Sequence, residues 1–149
     1  MSLSRDSADL SAQAPASMRV LLIEDSPTIR KYLKAWLSTE LPQAEVLEAE
    51  DGKTGFRELG RQSVQLIITD LNMPGMDGLT FLEKLRSNSI LKRKPVLVLS
   101  GSLTEELRHA AALDPLLCLL PKPASIPQLS SALQGLLALA GRPAAPANL

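Results

Sequence analysis

Short apolar runs alternate along this chain with longer segments in which apolar residues recur every three or four positions. The run at residues 66–68 is unbroken and rich in β-branched residues, a pattern typical of a strand buried on both faces of a parallel sheet. Further runs predict strands at residues 19–23, 44–49, 95–99 and 116–120. Helical spacing predicts helices that begin near Pro27, Gly52, Gly78, Leu103 and Ile126. This alternation predicts an α/β fold, a doubly wound five-stranded parallel sheet with five helices.

Turn-forming residues mark several of the predicted boundaries. Ser26 can cap the first helix, and Pro27 suits its first position because an N–H there would have no helical partner. The proline and glycine at 74–75 stop the third strand, and the Asp-Gly pair at 77–78 opens the next helix. The elements are therefore predicted from their ends as well as from their spacing.

Length and composition predict one domain with a tail at each end. A chain of 149 residues can bury about 68–70% of its unfolded surface in one core. Residues 1–17 are rich in Ser, Ala and charge, which predicts a disordered arm. The folded domain is predicted at 18–140, followed at 141–149 by a Pro/Ala tail or the start of a linker.

Charge and cysteine content narrow the class of protein. Sixteen basic and sixteen acidic residues cancel, so no global field favours nucleic acid or an anionic membrane as a partner. No run of about 18 apolar residues could span a bilayer, and residues 1–17 lack the pattern of a secretory signal. Cys118 is the single cysteine, which fits a reducing compartment. We therefore expect a soluble, cytoplasmic protein.

Polar residues follow four of the predicted strands. Glu24 and Asp25 come after the first strand, Asp70 after the third, Ser100 after the fourth and Lys122 after the fifth. Because the carboxyl ends of parallel strands meet at one edge of a sheet, these side chains can converge there. The candidate site is therefore at that edge.

Three carboxylates in one place require compensation. At an effective dielectric near 20, each pair of charges about 4 Å apart costs roughly 4 kcal/mol, which one lysine does not offset. Either the pKa values of the acids rise or a divalent cation lies among the oxygens. A water-rich site of oxygen ligands suits Mg²⁺, with Mn²⁺ as a substitute.

The same groups suit phosphoryl transfer. A carboxylate can attack phosphorus while a metal ion and an ammonium neutralise the charged phosphoryl oxygens. The product would be an aspartyl phosphate on Asp70, and the hydroxyl of Ser100 could hydrogen-bond it.

Five separated segments carry a resemblance to a known family. They are Ile-Glu-Asp-Ser at 23–26, Glu-Asp-Gly at 50–52, Asp-Leu-Asn-Met-Pro-Gly-Met-Asp-Gly at 70–78, Ser-Gly at 100–101 and Lys-Pro at 122–123. Asp70 precedes Ser100 by thirty residues and Lys122 by fifty-two, a joint spacing that makes the match specific. Over residues 18–140 the chain resembles the receiver domains of two-component response regulators, in the style of the single-domain, chemotaxis-type members.

The resemblance implies a flavodoxin-like sheet with the strand order 2-1-3-4-5 and a phosphorylation-activated signalling switch. A histidine kinase or a histidine phosphotransfer protein would donate a phosphoryl group to Asp70. Beyond self-phosphorylation and slow self-dephosphorylation, no enzymatic turnover is expected. His109, the single histidine, is predicted on an exposed helix face, so the chain is expected to receive a phosphoryl group rather than to act as the kinase.

The resemblance also implies the ligands of the metal ion. Asp25 would bind Mg²⁺ directly together with the phosphoacceptor Asp70, and Glu24 would bind it through water. The backbone carbonyl of Asn72 would complete the protein ligands.

Further roles follow from the same resemblance. Ser100 would be the hydroxyl switch and Lys122 the cation that pairs with the phosphate. The Lys122-Pro123 peptide would be cis, which proline makes inexpensive at about 0.5–1 kcal/mol. Asn72 and Ser102 would tune the rate of dephosphorylation.

The chain departs from the family pattern at two places. Leu119 stands where an aromatic residue coupled to the hydroxyl switch is usual in the family, and a leucine can pack inward but has no hydroxyl to reorient. The usual small residues before the fifth strand are replaced by Asp-Pro-Leu at 114–116, which predicts a different loop shape.

One surface has unusually little charge. Between Leu113 and Ala140 only Asp114 and Lys122 are charged, and the last helix has no charged residue. Apolar area exposed there would mark an interface. We expect the fourth helix, fifth strand and fifth helix to bind an output protein or a second copy of this chain.

Three alternatives remain open at this point. An Asp-dependent phosphohydrolase would need a second acid two residues after its nucleophile, and Asn72 occupies that position. A degenerate receiver that serves only as a binding module is disfavoured by the intact acids and lysine. The chain could also be a receiver module excised from a longer multidomain regulator.

Overall fold

An open parallel sheet positions the predicted site. Its strands are β1 (Arg19–Ile23), β2 (Glu45–Ala49), β3 (Leu66–Thr69), β4 (Val96–Ser100) and β5 (Leu117–Pro121). The helices are α1 (Pro27–Glu40), α2 (Gly52–Arg61), α3 (Gly78–Ser87), α4 (Glu105–Ala112) and α5 (Ile126–Leu139). Within the described part of the chain the strands are all parallel, in the order β2-β1-β3-β4-β5. The predicted doubly wound, flavodoxin-like sheet with five helices is confirmed.

The computed structural model describes residues 18–72 and 77–141. The predicted arm at 1–17, the turn residues at 74–75 and the predicted tail beyond residue 141 lie outside the described residues. Among the helices of the described ranges, none has both the length and the apolar character that crossing a membrane requires.

The central strands are buried on both faces. Every residue of β3 and β4 is buried, as the unbroken apolar run at 66–68 predicted. One cluster of core side chains packs the sheet against α2, α3 and α4, and a second packs it against α1 and α5. Leu21 and Ile23 of β1 face the first cluster, whereas Val20 and Leu22 face the second, because side chains alternate along a strand.

The helix starts depend on local capping. The five N-cap side chains each accept a hydrogen bond from a backbone N–H three residues later, and they are Ser26, Asp51, Asp77, Thr104 and Ser125. The fourth helix was predicted to begin near Leu103 and instead begins at Glu105. The reason is that Thr104 is its cap, with an extended backbone at φ −81° and ψ 166°.

One close approach explains the Asp-Gly pair at 77–78. A Cβ on Gly78 would lie 2.7 Å from the Cβ of Leu71, so the start of α3 packs too tightly for a larger residue. This contact holds the start of α3 against the residue that follows Asp70.

Candidate functional site

The backbone ladder continues past the strand ends and fixes the residues that follow them. The N–H of Glu24 donates to Ala49 O at 3.0 Å, and the N–H of Asp70 donates to Ile23 O at 3.1 Å. The N–H of Lys122 donates to Ser100 O at 2.9 Å. The residues after β1, β3, β4 and β5 therefore lie along one edge of the sheet, which we call the carboxyl edge.

Asp70 lies at the middle of this edge. Its side chain is buried, because β3 is the central strand and helices cover both faces of the sheet. One carboxylate oxygen, Oδ1, accepts from the backbone N–H of Asn72 at 2.8 Å, and Oδ2 accepts from Lys122 Nζ at 2.8 Å. Asp70 is thus a carboxylate held in one orientation by a peptide N–H and an ammonium.

Glu24 is buried even more deeply, at 1% exposure. Its Oε2 accepts from the backbone N–H of Ser26 at 3.1 Å, and its Oε1 accepts from Lys122 Nζ at 2.9 Å. Asp25 is exposed, yet one of its carboxylate oxygens lies within 4.8 Å of ligand oxygens of both Glu24 and Asp70. The three acids that the sequence placed at strand ends therefore form one cluster.

Lys122 bridges two of the three acids. Its ammonium lies between Glu24 Oε1 and Asp70 Oδ2, and the side chain is 22% exposed. Burial acts to lower the pKa of Lys122, but the hydrogen bonds and charges of Asp70 and Glu24 outweigh burial and raise this pKa above its ordinary value. The lysine is therefore held as a cation beside the candidate phosphoacceptor.

The acidic cluster fits a hard divalent cation. Three carboxylates face a single ammonium, so positive charge is in deficit, and oxygen donors are the ligands that Mg²⁺ and Mn²⁺ prefer. Asp25 faces solvent, which leaves room for the waters that Mg²⁺ retains. Asn72 contributes its N–H to Asp70, and the predicted use of its carbonyl stays a prediction.

Ser100 lies at the same edge, but its hydroxyl is engaged with its own loop. The side chain is fully buried, and Oγ accepts from the backbone N–H of Ser102 at 3.2 Å and donates to the carbonyl of Ser102 at 3.3 Å. Among the described residues, no hydrogen bond joins Ser100 Oγ to Asp70 or to Lys122.

Two features of the family pattern concern β5 and the residues that follow it. The Lys122-Pro123 peptide is cis, as expected. Leu119 is half-buried and packs against the core cluster on the α2, α3 and α4 side of the sheet. The position that is usually aromatic is therefore a core contact here.

Sequence reasoning missed two features next to the site. Arg30 donates from Nη1 to the backbone carbonyl of Glu24 at 2.6 Å and from Nε to Glu48 at 3.1 Å. Its position four residues after the helix cap Ser26 was a signal, because such a residue can reach back over the first turn. The second feature is a largely apolar cavity of about 400 Å³ beside Lys122, lined by residues of α1 and α5 that include Tyr32 and Leu129.

Comparisons with known proteins agree with this architecture. A family model described as "Response regulator receiver domain" matches residues 20–134. The chemotaxis protein CheY1 of Helicobacter pylori is 38% identical over 84 residues, which are 56% of this chain and 67% of that protein. The probable chemotaxis protein CheY of Rhizobium etli is 32% identical over 117 residues, which are 78% of this chain and 90% of that protein.

A solved structure shows the same likeness in three dimensions. The chemotaxis protein CheY4 of Vibrio cholerae superposes with a TM-score of 0.71 at 30% identity, and the match covers 82% of this chain and 100% of that chain. The fold and the site thus define a CheY-like, phosphorylation-activated signalling switch, a class that is broadly non-enzymatic. The chain belongs to the response regulator receiver domain family. Receiver domains interact with histidine kinases and with output proteins.

Proposed function

We propose that Asp70 is the phosphoacceptor of this switch and receives a phosphoryl group from a phosphohistidine of a histidine kinase or a phosphotransfer protein. The single observation that carries this proposal is the hydrogen bond between Asp70 Oδ2 and Lys122 Nζ at 2.8 Å inside a cluster of three carboxylates. An aspartate with a purely structural role would not need a half-buried ammonium and two further carboxylates beside it.

The transfer is a simple substitution at phosphorus. An Asp70 oxygen attacks the phosphorus atom, the bond from phosphorus to the donor nitrogen breaks, and the electron pair leaves with the imidazole. The Asp70 side chain exchanges its hydrogen bond from Lys122 for an acyl phosphate bond, and the lysine ammonium then pairs with a phosphoryl oxygen. Hydrolysis of the acyl phosphate returns the carboxylate, so the protein resets itself slowly without turning over a substrate.

The metal ligands in this proposal are Asp25 and Asp70, with Glu24 acting through water and the carbonyl of Asn72 as a further ligand. Bound Mg²⁺, or Mn²⁺ in its place, supplies the positive charge that offsets the acids and the phosphoryl oxygens. Glu24 keeps a hydrogen bond from the backbone N–H of Ser26, which holds its carboxylate at the site when Lys122 moves to the phosphate.

Ser100 is the hydroxyl that reports phosphorylation. Its Oγ leaves the backbone of Ser102 and donates to the acyl phosphate, which frees the loop before α4. Leu119 has no hydroxyl to reorient, so the loop and the packing of Leu119 carry the change to the surface. Asn72 and Ser102, both exposed, flank the path of the attacking water and tune dephosphorylation.

The output surface consists of α4, β5 and α5. Leu113, at the C-terminal end of α4, is 72% exposed, and Leu139 of α5 is 66% exposed, which supports a contact with an output protein or with a second copy of this chain. The apolar cavity beside Lys122, lined by residues of α1 and the first turns of α5, gives the donor protein a surface next to the cation that pairs with the phosphate.

Intact mass tests the phosphoacceptor. Incubation with Mg²⁺ and a small acyl phosphate should add one phosphoryl group, and Asp70→Asn should abolish this gain. The matched control is Asp77→Asn, because Asp77 is an exposed helix cap and asparagine caps equally well. A phosphoryl gain that persists in Asp70→Asn would place the acceptor elsewhere.

Steady release of phosphate from a small phosphoester by the wild-type protein would instead support the phosphohydrolase alternative, which Asn72 disfavours.

A further inference from the structure

The edge of the sheet opposite the acidic cluster, which we call the amino edge, carries a basic loop. The loop between α3 and β4 has three successive cations, Lys92, Arg93 and Lys94, and the first two are exposed. Within the described ranges, 18–72 and 77–141, no salt bridge involves any of the three. Their charge is therefore available to a partner.

Hydrogen bonds hold this loop in one shape. Asn88 Oδ1 accepts from the backbone N–H groups of Ile90 at 2.8 Å and Leu91 at 3.0 Å. At the other end, Arg86 Nη1 donates to the carbonyl of Lys94 at 2.8 Å. The backbone of the loop is thus ordered before binding, which reduces the cost in backbone conformational entropy.

An apolar side chain stands beside the cations. Leu91 is buried, and the fixed loop turns its neighbour Ile90 outward to 77% exposure. Ile90 also lines an open cavity of about 260 Å³ whose wall includes Arg61 of α2, Ser63 and Lys94. Such a cavity suits one apolar side chain of a partner, and its wall includes two cations, Lys94 and Arg61, of which Arg61 also pairs with Glu58 at 3.6 Å.

We propose that this amino-edge loop, together with the cavity at Arg61 and Ser63, binds an acidic segment of another protein that carries an apolar side chain among its carboxylates. Charge complementarity supplies the attraction, and the cavity and Ile90 supply the apolar contact. A nucleic acid fits less well, because one short loop is smaller than the basic stripe that such a ligand needs and the net charge of the chain is zero. A membrane fits less well because Ile90 is a lone apolar residue rather than part of an amphipathic helix.

The inference goes beyond the proposed function and does not depend on it. Phosphorylation of Asp70 is not required, so Asp70→Asn should bind the same segment as the wild-type protein. Failure of binding would leave the phosphoacceptor assignment untouched, and failure of phosphorylation would leave this surface untouched.

The test uses the full chain and a short blocked peptide in which glutamate pairs alternate with single leucines. We expect shifts of the backbone amide resonances at residues 90–94, and about tenfold weaker binding for the Lys92→Ala/Arg93→Ala double variant. Ile90→Ser should weaken peptide binding without changing how that binding depends on salt concentration. Lys31→Ala/Lys53→Ala, which removes two exposed cations elsewhere, is the matched control and should bind as wild type does.

Three results would overturn the proposal. The first is equal binding of a peptide with glutamine in place of glutamate, and the second is equal loss of affinity in the Lys31 and Lys53 control. The third is tighter binding of duplex DNA or of vesicles that contain anionic lipid than of the acidic peptide, since these are different classes of partner.

Discussion

The two edges of the sheet both concentrate charge, and they differ in how deeply that charge is buried. At the carboxyl edge Glu24 and Asp70 are 1% and 7% exposed, and Lys122 lies between them. At the amino edge Lys92 and Arg93 are exposed and have no ion-pair partner among the described residues. Two lysines, Lys122 and Lys92, therefore lie in very different electrostatic environments within one small domain.

This difference in burial shows which charged side chains are held in a fixed position and can take part in a reaction. Water and salt screen exposed charges, so the amino edge can attract a partner but does not hold any side chain in a defined state. At the carboxyl edge burial acts to lower the pKa of Lys122, but the hydrogen bonds and charges of Asp70 and Glu24 raise this pKa and keep the lysine positive. The same contacts fix the position of Asp70.

Removing Lys122, the half-buried cation of the carboxyl edge, should have the largest effect on stability. In the presence of a chelator, Lys122→Ala should lose about 2–3 kcal/mol of the free energy of unfolding, because Glu24 and Asp70 would remain buried without a cation. The loss stays below that of a fully buried pair because the Lys122 side chain is 22% exposed. Urea unfolding at neutral pH measures it.

The control for this change is Lys34→Ala. Lys34 bonds Glu48 at 2.8 Å, the same distance as the bond from Lys122 to Asp70, but its side chain is 53% exposed. The control should change stability by less than about 1 kcal/mol. Equal losses in the two variants would mean that burial does not distinguish these ion pairs.

Removing an exposed acid from the cluster should affect metal binding more than folding. Mg²⁺ at about a hundred times its dissociation constant should stabilise the wild-type protein by about 2.7 kcal/mol, and Asp25→Asn should lose most of this gain. Without metal, Asp25→Asn should be at least as stable as wild type, because one of three neighbouring negative charges is gone.

Unfolding with Mg²⁺ and with chelator measures both quantities. Asp51→Asn is the matched control, because Asp51 follows a neighbouring strand and caps α2, and asparagine preserves the cap. An unchanged Mg²⁺ effect in Asp25→Asn would remove Asp25 from the ligand set.

The raised pKa of Lys122 predicts a smaller effect that is confined to alkaline solution. Because this pKa is higher in the folded state than its ordinary value of 10.5, the stabilisation is complete below about pH 10.5. It is lost as pH rises through the raised value, since the lysine then gives up its proton. Lys122→Arg should lose less stability over this range, because a guanidinium stays charged.

Unfolding curves taken at increasing pH measure this difference from wild type. Lys92→Arg, which replaces an exposed lysine at the amino edge, is the control and should follow the wild-type curve. A steeper alkaline loss in Lys122→Arg than in wild type would contradict the assignment of the effect to this lysine.

Changes at the amino edge should have the smallest effect on the isolated protein. Lys92→Ala/Arg93→Ala should alter the free energy of unfolding by no more than about 0.5 kcal/mol, because exposed side chains without partners contribute little. The same variant should accept a phosphoryl group on Asp70 at the wild-type rate, measured by intact mass over time. A large loss of stability would show that the loop is held by its side-chain charges rather than by its backbone hydrogen bonds.

Much of the fold and of the candidate site could be predicted because the signals are local. The run at 66–68 predicted a fully buried strand, and all its residues are buried. Ser26 and Pro27 predicted the start of α1 because capping involves only adjacent turns of chain. The start of α4 was missed by two residues because Leu103 continues the apolar pattern although Thr104 caps the helix.

By itself, the sequence determined the order of strands and helices, the edge at which the acids collect and the family to which the chain belongs. Apolar periodicity, caps and the spacing of a few polar residues are properties of neighbours in the chain. Only the tertiary structure decided the partners at the site: Lys122 bridges Glu24 and Asp70 across separations of 98 and 52 residues, and the Ser100 hydroxyl turns to its own loop. Those choices depend on distances of a few ångströms between side chains from different strands, which no local pattern encodes.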